Sequence, residues 1–207
     1  MRIAGPPRPI SRRAALGLAL GAACLAPAAA LGAGPLPPLS EFLQYGAFGP
    51  WTGAAEGDTY VLSNTTAPGA VQYFLAGHQR SEEGRRVIAV DVEIRQGGEE
   101  SRAGLIYGYR KEPTSYFLFV LEGGRGVSLY LRHPDSVERP VSVVSGQIRP
   151  GVNRLEIREQ GGLVGLFVNG AQIGAYGAAG VGQGAAGIVA WGMGVFAFRD
   201  FTQTVAE

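Results

Sequence analysis

Tyr107, Tyr109 and Tyr116 fall within one short stretch, Ala103-Gly-Leu-Ile-Tyr-Gly-Tyr109, then Arg110-Lys-Glu-Pro-Thr114, then Ser115-Tyr-Phe-Leu-Phe-Val-Leu121. A phenol joins an apolar ring to a hydroxyl that can both donate and accept, so tyrosines gathered on one surface can stack on the apolar face of a sugar. Arg110 stands beside them and can donate to hydroxyl groups, and Trp191 adds an indole in a later apolar run. Tyr107, Tyr109, Arg110, Tyr116 and Trp191 are therefore the candidate ligand-binding residues. The plain alternative for the tyrosines is packing, under a loop or against an N-terminal strand, because half-buried tyrosine is common in sheets.

Other chemistry finds less support in the residue types. His78 and His133 are the only histidines, far apart and each among turn residues, so neither has a partner at zinc-ligand spacing. A structural calcium would need about six oxygen ligands or more. Asp58 and Asp135 stand alone among loop polars, so a structural calcium stays an open alternative without support in the ligand count, and no other metal or cofactor is expected. The string Gly182-Gln-Gly-Ala-Ala-Gly187 matches the dinucleotide fingerprint, but Ile188-Val-Ala-Trp191 follows it. That mechanism requires a helix there, so the string reads as a loop between strands.

The elements that must position the candidate residues are short strands. Ala103 to Tyr109, Ser115 to Leu121 and Val127 to Arg132 are aromatic and branched runs separated by turn chemistry, the pattern of an antiparallel meander. Pairing Tyr109 with Tyr116 sets Gly108 opposite Phe117, Ile106 opposite Phe119 and Gly104 opposite Leu121, large against small on one face. The other face then carries Tyr107, Tyr109, Tyr116, Leu105, Leu118 and Val120. Around the meander, strands are expected over Asp58 to Ser63, Ala70 to Leu75, Val87 to Arg95, Val141 to Ser145, Asn153 to Arg158, Leu163 to Val168, Ala171 to Tyr176, Ile188 to Trp191 and Val195 to Phe201. In Val87 to Arg95 the alternation is clean: Ile88, Val90, Val92 and Ile94 face a core, while Asp91, Glu93 and Arg95 face out or into a groove. Asn169-Gly170 is the strongest hairpin signal, since both residues tolerate positive φ. About a dozen strands with regular turns and no long helical period indicate a two-sheet, all-β sandwich.

The chain of 207 residues is long enough to bury one sizeable core. Its formal charge of +1 conceals an asymmetry, because Arg2, Arg8, Arg12 and Arg13 precede the apolar leader; without them 14 basic residues face 17 acidic ones, about −3. A weakly acidic domain with no basic stripe is a poor partner for nucleic acid. Ser11-Arg-Arg-Ala-Ala-Leu16, an uncharged Ala/Leu/Gly run and Ala28-Ala29-Ala30 have the three zones of an export signal, and the paired arginines resemble a twin-arginine leader. The expected organisation is a signal over residues 1–33, a Pro/Gly spacer over 34–50 and the folded domain over 51–204, placed in the periplasm or secreted, with no membrane contact once the signal is removed. Retention of the leader as an anchor, or lipidation at Cys24, are minority readings; Pro27 and the small residues weaken the first, and Gly21 stands where a lipobox has leucine. Cys24 is the only cysteine, so the folded domain has no disulfide.

Taken in order, Val90-Asp-Val-Glu-Ile94, Ala103-Gly-Leu-Ile106, Ser115-Tyr-Phe-Leu118, Gly126-Val-Ser-Leu-Tyr130, Asn153-Arg-Leu-Glu-Ile157, Leu166-Phe-Val-Asn-Gly170, Gly187-Ile-Val-Ala190 and Phe198-Arg-Asp-Phe201 resemble the concanavalin A-like lectin and glucanase superfamily. The likeness is greatest to laminin-G-like modules and to sugar-hydrolase-like domains of exported bacterial proteins, and it covers about residues 50–204. It implies a jelly roll of two curved antiparallel sheets, with the concave face as the customary ligand surface. The glucanases of this superfamily carry Glu-x-Asp-x-Glu on a concave strand, two of the carboxylates serving as nucleophile and acid/base. Here the matching strand reads Ala89-Val-Asp91-Val-Glu93, so the nucleophile position holds alanine and Asp91 and Glu93 read as solvated carboxylates. The leading expectation is an exported, non-catalytic domain that binds carbohydrate or a cell-envelope glycan. A protein-interaction module of the same fold comes second, and a glycoside-processing enzyme lacking the glucanase motif third.

Overall fold

The computed structural model describes residues 42–76, 85–123, 126–177 and 184–205. The leader with Cys24, His78, and Gly182 and Gln183 of the glycine-rich string lie outside the described residues. Within them the chain forms only strands: β1 (Gly46–Phe48), β2 (Trp51–Glu56), β3 (Thr59–Asn64), β4 (Val71–Leu75), β5 (Arg86–Gly97), β6 (Arg102–Arg110), β7 (Ser115–Glu122), β8 (Gly126–Arg132), β9 (Val137–Val143), β10 (Asn153–Gln160), β11 (Leu163–Val168), β12 (Ala171–Gly177), β13 (Ala185–Trp191) and β14 (Gly194–Val205). They make two antiparallel sheets. The broad sheet has eight strands in the order β1-β2-β3-β14-β5-β10-β11-β12, and the narrow sheet six in the order β4-β13-β6-β7-β8-β9.

The alternation of β5 does what its pattern requires. Ile88, Val90 and Val92 are fully buried between the sheets and Ile94 packs against the same core, while Asp91 and Glu93 turn to the opposite side. Leu105, Phe119, Leu129 and Ile188 of the narrow sheet close on Leu155, Ile157, Leu166, Phe196 and Phe198 of the broad one. Each such side chain withdrawn from water contributes about 1.5 to 3 kcal/mol. The turn after β11 has φ of 50° at Asn169 and 83° at Gly170, as its hairpin signal requires. The Asn169 amide ties this turn to its surroundings, accepting from the Arg154 N–H at 2.9 Å and donating to the Gln147 carbonyl at 2.7 Å.

Four expectations need correction. Gly46–Phe48, inside the expected spacer, already pairs with β2, and Trp51–Glu56 is a strand although its small and polar residues carry little strand signal. β9 starts at Val137, earlier than expected, and accommodates Pro140 because it is an edge strand. β13 starts at Ala185, so the end of the glycine-rich string is strand and not loop. Most consequential is the meander register. Arg110 pairs with Ser115, in keeping with Tyr109 opposite Tyr116, but a bulge between Tyr107 and Arg110 shifts all that follows by one residue. Tyr107 faces Phe117, Ile106 faces Leu118, Leu105 faces Phe119 and Ala103 faces Leu121. Gly108, at φ 65°, supplies the left-handed residue at this bulge.

Candidate ligand-binding face

The bulge at Gly108 decides which tyrosines meet. Residues two apart on a regular strand share a face, but the extra residue sends Tyr107 and Tyr109 to opposite faces of the narrow sheet. Tyr107 is 1% exposed and belongs to the inter-sheet core, so its expected place among the surface tyrosines is overturned. Its hydroxyl donates to Glu159 Oε2 at 2.5 Å, and the guanidinium of the fully buried Arg86 lies 4.7 Å from its ring. Burial, and then that bond to Glu159, push the Tyr107 phenol well above its ordinary pKa.

Tyr109 and Tyr116 remain on the outer face. Their rings stack at 5.9 Å with an interplanar angle of 23°. Tyr73 from β4, not singled out in the sequence, completes the group at 5.5 Å from Tyr109 and 6.1 Å from Tyr116. The Tyr73 hydroxyl donates to that of Tyr109 at 3.4 Å; this bond, then burial and the neighbouring phenols, push the Tyr73 pKa up to about 12. The Tyr73 hydroxyl therefore stays protonated and can exchange hydrogen bonds at neutral pH. Beneath these rings lie Ile106, Leu118, Val120 and Val189, a second apolar cluster separate from the inter-sheet core.

Trp191 lies on the same face, in a second group. Its ring meets Tyr130 edge-on at 5.5 Å, and the Arg102 guanidinium sits 4.5 Å over the indole and 5.7 Å from the Tyr130 ring. Glu122 organises this group. Tyr130 donates to Glu122 Oε1 at 2.5 Å, Arg102 Nε lies 3.2 Å from the same oxygen, and Arg139 binds Oε2 while also donating to Ser128 Oγ. Burial alone would raise the Glu122 pKa, but the bonds from Tyr130, Ser128 and Arg102 and the charge of Arg139 outweigh it and hold the carboxyl below the usual range. Arg102 also donates to the Glu100 carbonyl at 2.9 Å and carboxylate at 3.1 Å.

Of the sequence candidates, then, Tyr109, Tyr116 and Trp191 share one face, Tyr107 leaves it, and Arg110 is exposed at the rim where β6 turns into β7. Sequence reasoning passed over Tyr73, Arg102, Glu122, Tyr130 and Arg139. The available signal was period-two alternation: in Gly126-Val-Ser-Leu-Tyr-Leu-Arg132, Val127, Leu129 and Leu131 enter the core, which leaves Ser128, Tyr130 and Arg132 together outside.

The outer face of the broad sheet is different in kind. Asp91 pairs with Arg154 at 3.1 Å and Arg199 at 3.5 Å, Arg95 bridges Glu93 at 3.2 Å and Glu56 at 2.5 Å, and Arg158 binds Glu156. Asp91 and Glu93 are thus held in ion pairs and not merely solvated. They line a shallow depression with Thr59, Arg95, Val152 and Arg199, while Ala89 beside them is buried. Among the described residues no group of three or more His, Cys, Asp or Glu side chains is placed to hold a metal.

No protein-family model and no curated protein matches the sequence. Solved structures do match the fold. The carbohydrate-binding module CBM66 from Bacillus subtilis superposes with a TM-score of 0.61 at 12% identity, over 74% of this chain and 91% of that one. A functionally unknown protein from Saccharomyces cerevisiae gives 0.56 at 11% identity, covering 75% and 92%. The β-glucanase of Bacillus licheniformis gives 0.53 at 10% identity, covering 76% and 92%. Two antiparallel sheets in this order, superposing on these structures over most of their length, form a jelly-roll sandwich, the same fold as that carbohydrate-binding module and that β-glucanase.

Proposed function

We propose that the protein binds carbohydrate on the outer face of the narrow sheet, as a non-catalytic module acting outside the cytoplasm. The observation that carries this reading is the contrast between the two outer faces. One is a ladder of paired charges, the usual solvated side of a sheet; the other carries Tyr73, Tyr109, Tyr116, Tyr130 and Trp191 over an apolar floor. Tyr73, Tyr109, Tyr116 and Trp191 are half-buried while Tyr130 is buried, and rings exposed in part and flanked by fixed donors suit a pyranose, whose C–H faces stack while its hydroxyls bond at the edges. The likeness to a carbohydrate-binding module agrees with this choice of ligand. A non-catalytic role is supported by Ala89 at the position of the glucanase nucleophile and by the arginines that hold Asp91 as an ion pair. Export is supported by Arg12 and Arg13 ahead of the apolar run, and a cell-envelope glycan is a fitting ligand for a protein so placed.

A glycan array, followed by titration of positive hits with tryptophan fluorescence, tests the binding. Trp51 is buried in the core and supplies a constant background, whereas Trp191 should respond. If no glycan changes fluorescence or melting temperature, and Tyr109→Ala merely unfolds the domain, the aromatic face is packing and a protein-interaction role takes its place. Export is tested by fusing residues 1–35 to a reporter that must fold before translocation; Arg12→Lys with Arg13→Lys should stop it, and continued export would argue for the general route.

A further inference from the structure

The arginines on the aromatic face are not equivalent. Arg102 and Arg139 both spend their charge on Glu122, and Arg102 also on Glu100. Arg132 projects to the same side as Ser128 and Tyr130 by the alternation of β8, is half-buried, and among the described residues makes no hydrogen bond or ion pair. Its strand partner on β7 is Tyr116. Directly opposed side chains on antiparallel strands have Cβ atoms about 5 Å apart. An uncommitted guanidinium therefore stands beside the stacked pair Tyr109 and Tyr116, on a domain whose overall charge is acidic.

We propose that Arg132 recognises a carboxylate on a sugar seated on Tyr116, so that the preferred ligand is a glycan containing uronic acid. The inference rests on the carbohydrate reading above. In a hexuronate the carboxylate is attached directly to C5 and lies at the edge of the ring. A sugar flat on Tyr116 therefore presents it sideways, toward the neighbouring strand and Arg132. The planar guanidinium donates two parallel N–H bonds to a carboxylate, a match that a neutral hydroxymethyl group cannot make. A phosphate or sulfate ester sits one bond further out and is not held at the ring edge in this way. Partial burial of Arg132 strengthens the pairing relative to one made in bulk water.

The test compares three probes by calorimetry: a linear oligogalacturonide, the same oligomer with its carboxyls reduced to hydroxymethyl groups, and a sulfated galactan oligomer. The oligogalacturonide should bind at least tenfold more tightly than its reduced counterpart, with an advantage that falls as salt is raised. Arg132→Gln should remove that advantage while leaving the reduced oligomer's affinity and the melting temperature unchanged, and Arg132→Lys should restore part of it. Equal affinity for the acidic and reduced oligomers, an advantage that survives Arg132→Gln, or preference for the sulfated oligomer would each overturn the assignment of Arg132 to a uronate. Those outcomes leave the carbohydrate reading standing. Failure of every glycan, neutral or acidic, to bind would remove both.

Discussion

At the scale of single residues, the three tyrosines that look equivalent in the sequence divide between the two faces of the narrow sheet. Tyr109→Ala should weaken glycan binding by about 1 to 2 kcal/mol, the size of a lost aromatic contact, and Tyr109→Phe should cost less. Tyr107→Phe should leave binding unchanged but lower stability by roughly 1 to 3 kcal/mol, because the buried Glu159 loses the hydroxyl that donates to it. Parallel titration and thermal melts separate the two. Glu122 gives a pH signature. Its folded pKa lies below the ordinary value of 4.5, so the stability it contributes is present above that value and is lost as pH falls through the lower folded one. Glu122→Gln should therefore melt earlier than the parent protein at pH 7, and the gap should close as melts are repeated below about pH 4. A gap that persists in acid would mean that the carboxylate charge is not what Tyr130, Arg102 and Arg139 are held by.

At the scale of elements, two turn-like features differ in their bearing on the site. The Asn169-Gly170 hairpin is open, with nothing near a Cβ built at Gly170, so the cost of Gly170→Val lies in its positive φ alone. It should amount to about 1 kcal/mol or more in denaturant unfolding, and leave ligand affinity untouched. The bulge at Gly108 lies at the site itself. A valine there resists φ 65°, and removing the bulge would realign Tyr109 with the side of the strand that faces the core. Gly108→Val should thus lose binding out of proportion to its loss of stability. Equal losses at both glycines would show that the bulge has no special part in placing Tyr109.

At the scale of the whole molecule, all-antiparallel order and a single inter-sheet core predict a sheet-dominated circular dichroism spectrum and one cooperative unfolding transition for residues 34–207. Phe196→Ala, at the centre of the broad sheet's inner face, should shift that transition by about 3 to 5 kcal/mol. A helical spectrum would sink the architecture.

The sequence by itself determined the all-β class, the existence of most strands, the inner face of Val87 to Arg95, and the Asn169-Gly170 turn. Each of these is local: period-two alternation in Val87 to Arg95 and positive-φ tolerance at a hairpin need no knowledge of the rest of the chain. Only the tertiary structure decided which aromatics share a surface. A one-residue bulge is invisible to a pattern of period two, yet it reverses every face of β6 beyond it, and so Tyr107 and Leu105 went to the core while Ile106 came outside to join Leu118. Tyr73, Trp191 and Arg102 approach the other aromatics through strand neighbours far apart in sequence, with β13 lying between β4 and β6. That order is settled by how two sheets close over one core, and no local pattern records it.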